Sequence, residues 1–268
     1  SEAAVCESIF QEGLRLPPVR LVAAGEIRQD IVDIVLLNSR TPAERRGDLR
    51  AQIAANQSAV ANLQDLFALH GRRKLDTAIA AYLDTTEKRF RAAIKNLPDG
   101  TYSATEFLGG DSPGTKARLQ VALTVSDDSL SFDFEGTDAA LKTARNIPRQ
   151  GVLATVYTVA KALLDPEVPA NAGYFRTIEM VAPRNSIVDP LPPAPVGCRS
   201  ISCGVLSDAV IGVFSQAEPT VGLAPSGPHH LLTWSGMDPR NGRYFVNYET
   251  VAGGLGALAD ADGMDAVR

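Results

Sequence analysis

The residues of this chain best suited to chemistry gather in two short stretches, one around Asn171 and Arg176 and one around Glu249. Asn171-Ala-Gly-Tyr-Phe-Arg176 brackets Gly173 at the entry to a predicted strand, where a guanidinium is well shaped to hold a phosphorylated or carboxylate substrate. Arg176 has an equally ordinary alternative, a surface ion pair with Glu179 or Asp189. Glu249 stands near the end of another predicted strand, residues 244–250, just before Gly253-Gly254-Leu255-Gly256. A carboxylate at a strand end facing a cleft suits proton transfer. The glycine run offers backbone N–H groups to an oxyanion or a phosphate, unless it is only a turn. These patterns nominate Glu249 as catalytic and Asn171, Arg176, Gly253 and Gly254 as substrate-binding.

Other polar residues carry two readings each. His229 and His230, in Ser226-Gly-Pro-His-His230, are either a proton shuttle or part of a solvated loop. Asp208 lies in an otherwise apolar helical stretch and must be paired, metal-bound or exposed along one face. Arg40 and Asp48 flank the turn between two helices, as an ion pair tying the helix ends or as a contact to a partner. Asn56, in an apolar seam, is either a register device or a ligand.

Elements of two kinds must position these groups. Residues 1–98 are helical in pattern and residues 99–268 mix strands, turns and two apolar helices, with the break at Leu97-Pro98-Asp99-Gly100. Ile27, Ile31, Ile34 and Val35 imply a helix running to Asn38. The next begins at Pro42, with Thr41 as its cap, follows the seam Leu49, Ile53, Val60, Leu63 and Phe67, and ends at Gly71. Leu75, Ile79, Tyr82, Phe90 and Leu97 resume the rhythm, so an antiparallel helical hairpin with a buried seam is expected. Further on, residues 118–125 and 129–135 alternate around Asp127-Asp128 as a β-hairpin does. Residues 151–164 and 205–216 read as buried helices, and residues 174–181 as a strand. The fold class expected is α+β, an N-terminal helical hairpin region (1–98) followed by a mixed α/β body with antiparallel strands (99–268).

A net charge of -5 leaves no surplus of cations for a phosphate backbone, so nucleic acid is not an expected partner. No run of about 18 apolar residues occurs, and no membrane span is expected. Three cysteines, Cys6, Cys198 and Cys203, at spacings foreign to zinc sites read as reduced thiols, which with the lack of a signal-peptide pattern makes the cytoplasm the expected compartment. Ser1 at one end and Ala266-Val267-Arg268 at the other look cut from a longer protein.

Six segments, in order, resemble the hydantoinase B family. They are Gln11-Glu-Gly-Leu-Arg-Leu-Pro-Pro18, Asn38-Ser-Arg40 with Gly47-Asp-Leu-Arg-Ala-Gln52, and Leu97-Pro-Asp-Gly-Thr-Tyr102. After them come Phe134-Glu-Gly-Thr-Asp138, Asn171-Ala-Gly-Tyr-Phe-Arg176 followed by Ala182-Pro183, and Tyr248-Glu-Thr-Val-Ala-Gly-Gly254. The resemblance spans essentially the whole chain. It implies a B-type subunit of an ATP-dependent cyclic-amide hydrolase, of the N-methylhydantoinase or 5-oxoprolinase kind, working with a hydantoinase A-type, actin-like ATPase subunit. ATP and Mg would belong to that partner, which phosphorylates the substrate carbonyl, and this chain accordingly shows no GxxxxGK[ST] loop. The alternatives are a subunit of a ketone carboxylase of the acetone or acetophenone type and a non-catalytic scaffold for the A-type partner. The small-molecule substrate is thus a cyclic amide or a ketone. The family's His- and Asp-containing metal region is expected upstream of Ser1, so a divalent metal would lie there and none in this chain. Val196-Gly-Cys-Arg199 departs from the family in carrying more sulfur and fewer polar residues.

Overall fold

A computed structural model describes residues 5–224, 229–251, 253, 254 and 256–264. Ser1, residues 226–228 before the two histidines, Leu255 of the glycine run and the end at 266–268 lie outside the described residues. The chain groups into two compact units, one of residues 1–12, 82–232 and 248–268, the other of residues 13–81 and 233–247.

In chain order the elements are β1 (Val22–Ala23), β2 (Glu26–Ile27), α1 (Gln29–Leu37), α2 (Pro42–His70) and α3 (Arg72–Ile94). Then come β3 (Gly100–Gly109), β4 (Lys116–Ser126), β5 (Ser129–Asp133), α4 (Arg149–Leu164), α5 (Ala172–Phe175), β6 (Ile178–Val181) and α6 (Arg199–Ala217). β7 (Leu223–Ala224), β8 (His230–Met237), β9 (Tyr244–Val251) and β10 (Ala257–Leu258) follow. The α+β class expected from the sequence is what the chain forms.

The larger unit is built on a four-stranded sheet in the order β3-β4-β5-β6, antiparallel except for the parallel β5–β6 pair. β4 shows why it is a strand: Ala117, Leu119, Val121, Leu123 and Val125 are buried while their neighbours Lys116, Arg118 and Thr124 are exposed, the period of two that a sheet with one covered face demands. Asp127, at φ 51, turns β4 into β5, and its N–H donates to Asp99 Oδ1 at 2.9 Å. α6 covers the inner face of β3 and β4, and α4 packs on α6. Phe132 of β5 and Phe214 of α6 meet with ring centroids 6.0 Å apart, both fully buried. α6 is long and apolar enough to pass for a membrane span by length and composition, but here eight of its residues, from Ser202 to Ala217, form the core of the unit.

Four points differ from the sequence reading. The predicted strand 174–181 is a short helix, α5, followed by β6, because Asn171 caps the turn by accepting from Gly173 N at 2.8 Å and fixes a helical start before the β-formers begin. β3, unseen in the sequence, pairs with β4 along its whole length. Its inward residues are Tyr102, Ala104, Glu106 and Leu108, too mixed in polarity to show a strand's alternation. The helices α1, α2 and α3 form as expected, but the seam expected to be buried along α2 is open: α2 has no buried residue, with Val60 55% and Leu63 46% exposed. Of the smaller unit's elements, α1 packs on α2, and the firmly buried residues of α3 (Thr86, Phe90 and Ile94) all fall in its second half, within the larger unit. Thr41 precedes α2, yet its side chain makes no capping bond.

Candidate functional site

The segment 171–176 is welded to the second half of α3. While Asn171 Oδ1 caps α5, its Nδ2 donates to Thr86 Oγ1 at 2.9 Å. Thr86 is itself buried and donates to Tyr82 O. Gly173 presses directly on the helix backbone: a Cβ there would overlap the Leu83 carbonyl oxygen and meet Thr86 Cβ at 2.9 Å, so only glycine fits. Tyr174 then enters the core beside Phe90, ring centroids 5.2 Å apart.

Arg176 closes this clasp. Its Nη1 donates to Asp84 Oδ1 at 2.9 Å and to Glu87 Oε2 at 3.0 Å, rather than to Glu179 or Asp189. Glu87 also accepts two bonds from Arg91, whose Nη1 reaches Asp128 Oδ1 at 2.9 Å in the β4–β5 turn. The Arg91 guanidinium, and after it that of Arg176, holds the Glu87 carboxyl below the usual carboxylate range. Two carboxylates at one guanidinium cancel much of the positive potential an anionic substrate would feel. Asn171 and Arg176, nominated by residue type, are thus brought together on α3.

Glu249 lies two residues before the end of β9, partly buried, in the hairpin that β9 makes with β8. Gly254 has φ 129, a backbone shape that side chains avoid. Gly256 comes so near Ala224 that a Cβ would overlap its carbonyl oxygen, and it leads into β10, paired with β7. Part of the glycine run is therefore explained by close backbone approach. His230 opens β8 on an exposed position, and His229 is partly covered.

Several polar features escape sequence reasoning. Asp208 of α6 faces β3, where burial and, secondarily, the charge of Glu106 push its carboxyl up to about 6. The signal is there, an acid in an apolar helix, but its neighbour lies on the unrecognised strand β3. Glu12, inside the Gln11-Glu-Gly segment, accepts the backbone N–H groups of Val196 (2.6 Å) and Gly197 (2.5 Å). Asn146, fully buried, bonds Leu141, Thr143 and Pro195 at once and knits a loop no local pattern reveals. Asp48 pairs with Arg45 (2.9 Å) instead of Arg40, which reaches the Tyr244 hydroxyl. Asn56 lines an apolar cavity of about 330 Å³ with Val22, Ile53 and Val60. Among the described residues no three His, Cys, Asp or Glu side chains gather as metal ligands.

Comparison with known proteins adds what geometry alone does not. A family model described as hydantoinase B/oxoprolinase matches residues 3–268. The chain is 31% identical over 270 residues to the putative B-type subunit of the D-/L-hydantoinase of Pseudomonas sp. (strain NS671), covering 96% of this chain and 45% of that protein. It is 27% identical over 266 residues to the beta chain of the caprolactamase of Pseudomonas jessenii, covering 97% of this chain and 46% of that one. The crystal structure of the ATP-dependent caprolactamase from Pseudomonas jessenii superposes with a TM-score of 0.85 at 28% identity, over 96% of this chain and 45% of that chain. Nucleotide-free acetone carboxylase, at 17% identity, shares the fold with a TM-score of 0.82 over 98% of this chain and 37% of that chain. The chain thus spans about half the length of these two relatives, the hydantoinase and caprolactamase proteins.

Proposed function

Because the chain belongs to the hydantoinase B/oxoprolinase family, we propose that it is part of the B-type subunit of an ATP-dependent cyclic-amide hydrolase, acting with an A-type ATPase subunit. The observation that carries this reading is the similarity, along nearly the whole chain, to the B-type component of a hydantoinase and to the beta chain of a caprolactamase. The carboxylase reading draws on likeness of fold alone.

A ring amide resists water because its carbonyl carbon is a poor electrophile. A phosphoryl group placed on the carbonyl oxygen by the partner's ATP chemistry makes that carbon electrophilic: water adds to it, the C–N bond breaks as the ring nitrogen takes up a proton, and the acyl phosphate left behind is hydrolysed to the acid and phosphate. In this proposal Glu249 takes a proton from the attacking water, and N–H groups near Gly253 and Gly254 face the developing negative charge. Asn171 and Arg176 act at one remove: they fix α5 on α3 through Thr86, Asp84 and Glu87. No ligand group for a divalent cation forms among the described residues, and any such set is proposed to lie in the part of the protein outside this chain. The supply of ATP makes the cytoplasm the proposed compartment.

Two measurements test the reading. Incubation of the assembled two-subunit enzyme with ATP and a lactam or hydantoin should yield the ring-opened acid carrying oxygen from labelled water and no incorporation of labelled bicarbonate. Carboxylated product would replace the hydrolase with the carboxylase. Glu249→Gln should lower kcat by roughly a hundredfold with the melting temperature unchanged. Full turnover in that variant would leave Glu249 structural, and a chain without any residue needed for turnover would be a scaffold.

A further inference from the structure

The β3–β4 connection, far in sequence from every residue in the proposed reaction, encloses a polar cavity of about 310 Å³ lined by residues 109–115 together with Thr143 and Arg145. The loop is Gly109-Gly-Asp-Ser-Pro-Gly-Thr115. It is tight by construction. Gly110 donates to Thr115 O at 2.9 Å, and a Cβ on it would collide with the Thr115 hydroxyl. Thr115 Oγ1 in turn exchanges bonds with Ser112 N (3.1 Å) and O (2.7 Å).

Arg145 is brought to this cavity on a rigid mount. The next residue is the buried Asn146 with its four bonds, and the Arg145 carbonyl accepts from Ser202 Oγ at 2.7 Å. Its Nη1 donates to the carbonyl oxygens of Gly109 (3.4 Å) and Gly110 (3.2 Å). Nε and Nη2 make no hydrogen bond, and no carboxylate pairs with this arginine, among the described residues. Thr143 also lines the cavity, with its Oγ1 closed off from solvent. The carboxylate that also borders the cavity, Asp111, is exposed, and its Oδ1 accepts from Thr143 N at 3.0 Å. Glu12, on the N-terminal segment, is held by Val196 and Gly197.

We propose that this cavity is a binding site for a small oxyanion, a carboxylate or phosphate group gripped by Nε and Nη2 of Arg145. The fork of a guanidinium matches two oxygens of either group. The site rests on geometry independent of the proposed hydrolase reaction, so each can fail without the other.

Calorimetric titration of the complete B-type subunit with inorganic phosphate and, separately, with malonate tests it. Saturation at or below about 1 mM with at least one probe is expected, weakened about tenfold or more in Arg145→Gln, the loss of a charge-assisted pair. Preference for one probe tells carboxylate from phosphate. Absence of binding in the parent, or parent-like binding by a folded Arg145→Gln, overturns the proposal. If that variant fails to fold, Arg145→Lys, which keeps the charge and loses the planar fork, decides: binding weakened severalfold supports the site, and unchanged binding overturns it.

Discussion

α6 and α2 are both long helices bearing apolar residues at helical spacing, yet they meet opposite fates. α6 buries Val205, Leu206, Ala209, Val210, Val213 and Phe214 against the sheet of the larger unit and against α4. α2, ten residues longer, buries none: Val60, Leu63, Leu66 and Leu69 are all more than two-fifths exposed. Within its own unit the helix has α1 beside its first turns and little else along the apolar seam. Periodicity reports that a helix has an apolar stripe; whether anything covers the stripe depends on elements distant in sequence. Core energy is thus concentrated in one unit, and substitutions should reflect that.

The largest effect is expected at the centre of the buried region. Phe214→Ala removes a fully buried ring that meets Phe132 and should cost about 3–5 kcal/mol, read from the denaturant midpoint. A cost below about 1 kcal/mol would mean the core collapses around the gap and α6 is less central than its burial implies. Gly173→Ala comes next, at roughly 1–3 kcal/mol, because the methyl group must push α5 off the Leu83 carbonyl. A parent-like melting temperature there would show that the clasp between α5 and α3 is loose.

Asp208→Asn probes the same helix through pH. The Asp208 carboxyl is raised to about 6 in the fold against about 3.9 unfolded, so its favourable contribution is full below pH 3.9 and lost as pH rises through 6. The asparagine variant should therefore melt higher than the parent at pH 7.5, with the difference shrinking as pH falls toward 4. A difference independent of pH would remove Glu106 and burial as the cause. The smallest effect is expected on α2: Leu63→Ser should move stability by no more than about 0.5 kcal/mol, since the side chain is already half in water. Substantial unfolding by that change in the isolated protein would contradict the open seam.

How much of this is legible in the sequence follows from which interactions are local. The helices, the β4–β5 hairpin and the break near Pro98 are visible because patterning and turn residues lie within a few positions of one another. β3 escapes because Glu106 and Ala104 interrupt its alternation, and the helical start at Asn171 because a single side-chain cap outweighs the aromatic residues that follow. In the candidate site, Asn171, Gly173 and Arg176 draw attention by residue type, but their partners Thr86, Asp84 and Glu87 are some 85 to 92 residues away, and no spacing rule connects them. Arg145 carries no signal at all. Its significance comes from a missing acid beside it, which is a property of three-dimensional surroundings.

The bond from Glu12 to the amides of Val196 and Gly197 has a kinetic meaning. It joins positions 184 and 185 apart, reinforced by Ile9 N donating to Pro193 O at 2.9 Å. Closing so large a loop from an unstructured chain gains two hydrogen bonds against an entropic penalty of about 4–5 kcal/mol. The segment 5–12 therefore has no reason to dock until the sheet and α6 have already drawn the 193–198 stretch into place. It behaves as a seal laid over finished work, and amide exchange at Val196 and Gly197 would report completion of the fold rather than its beginning.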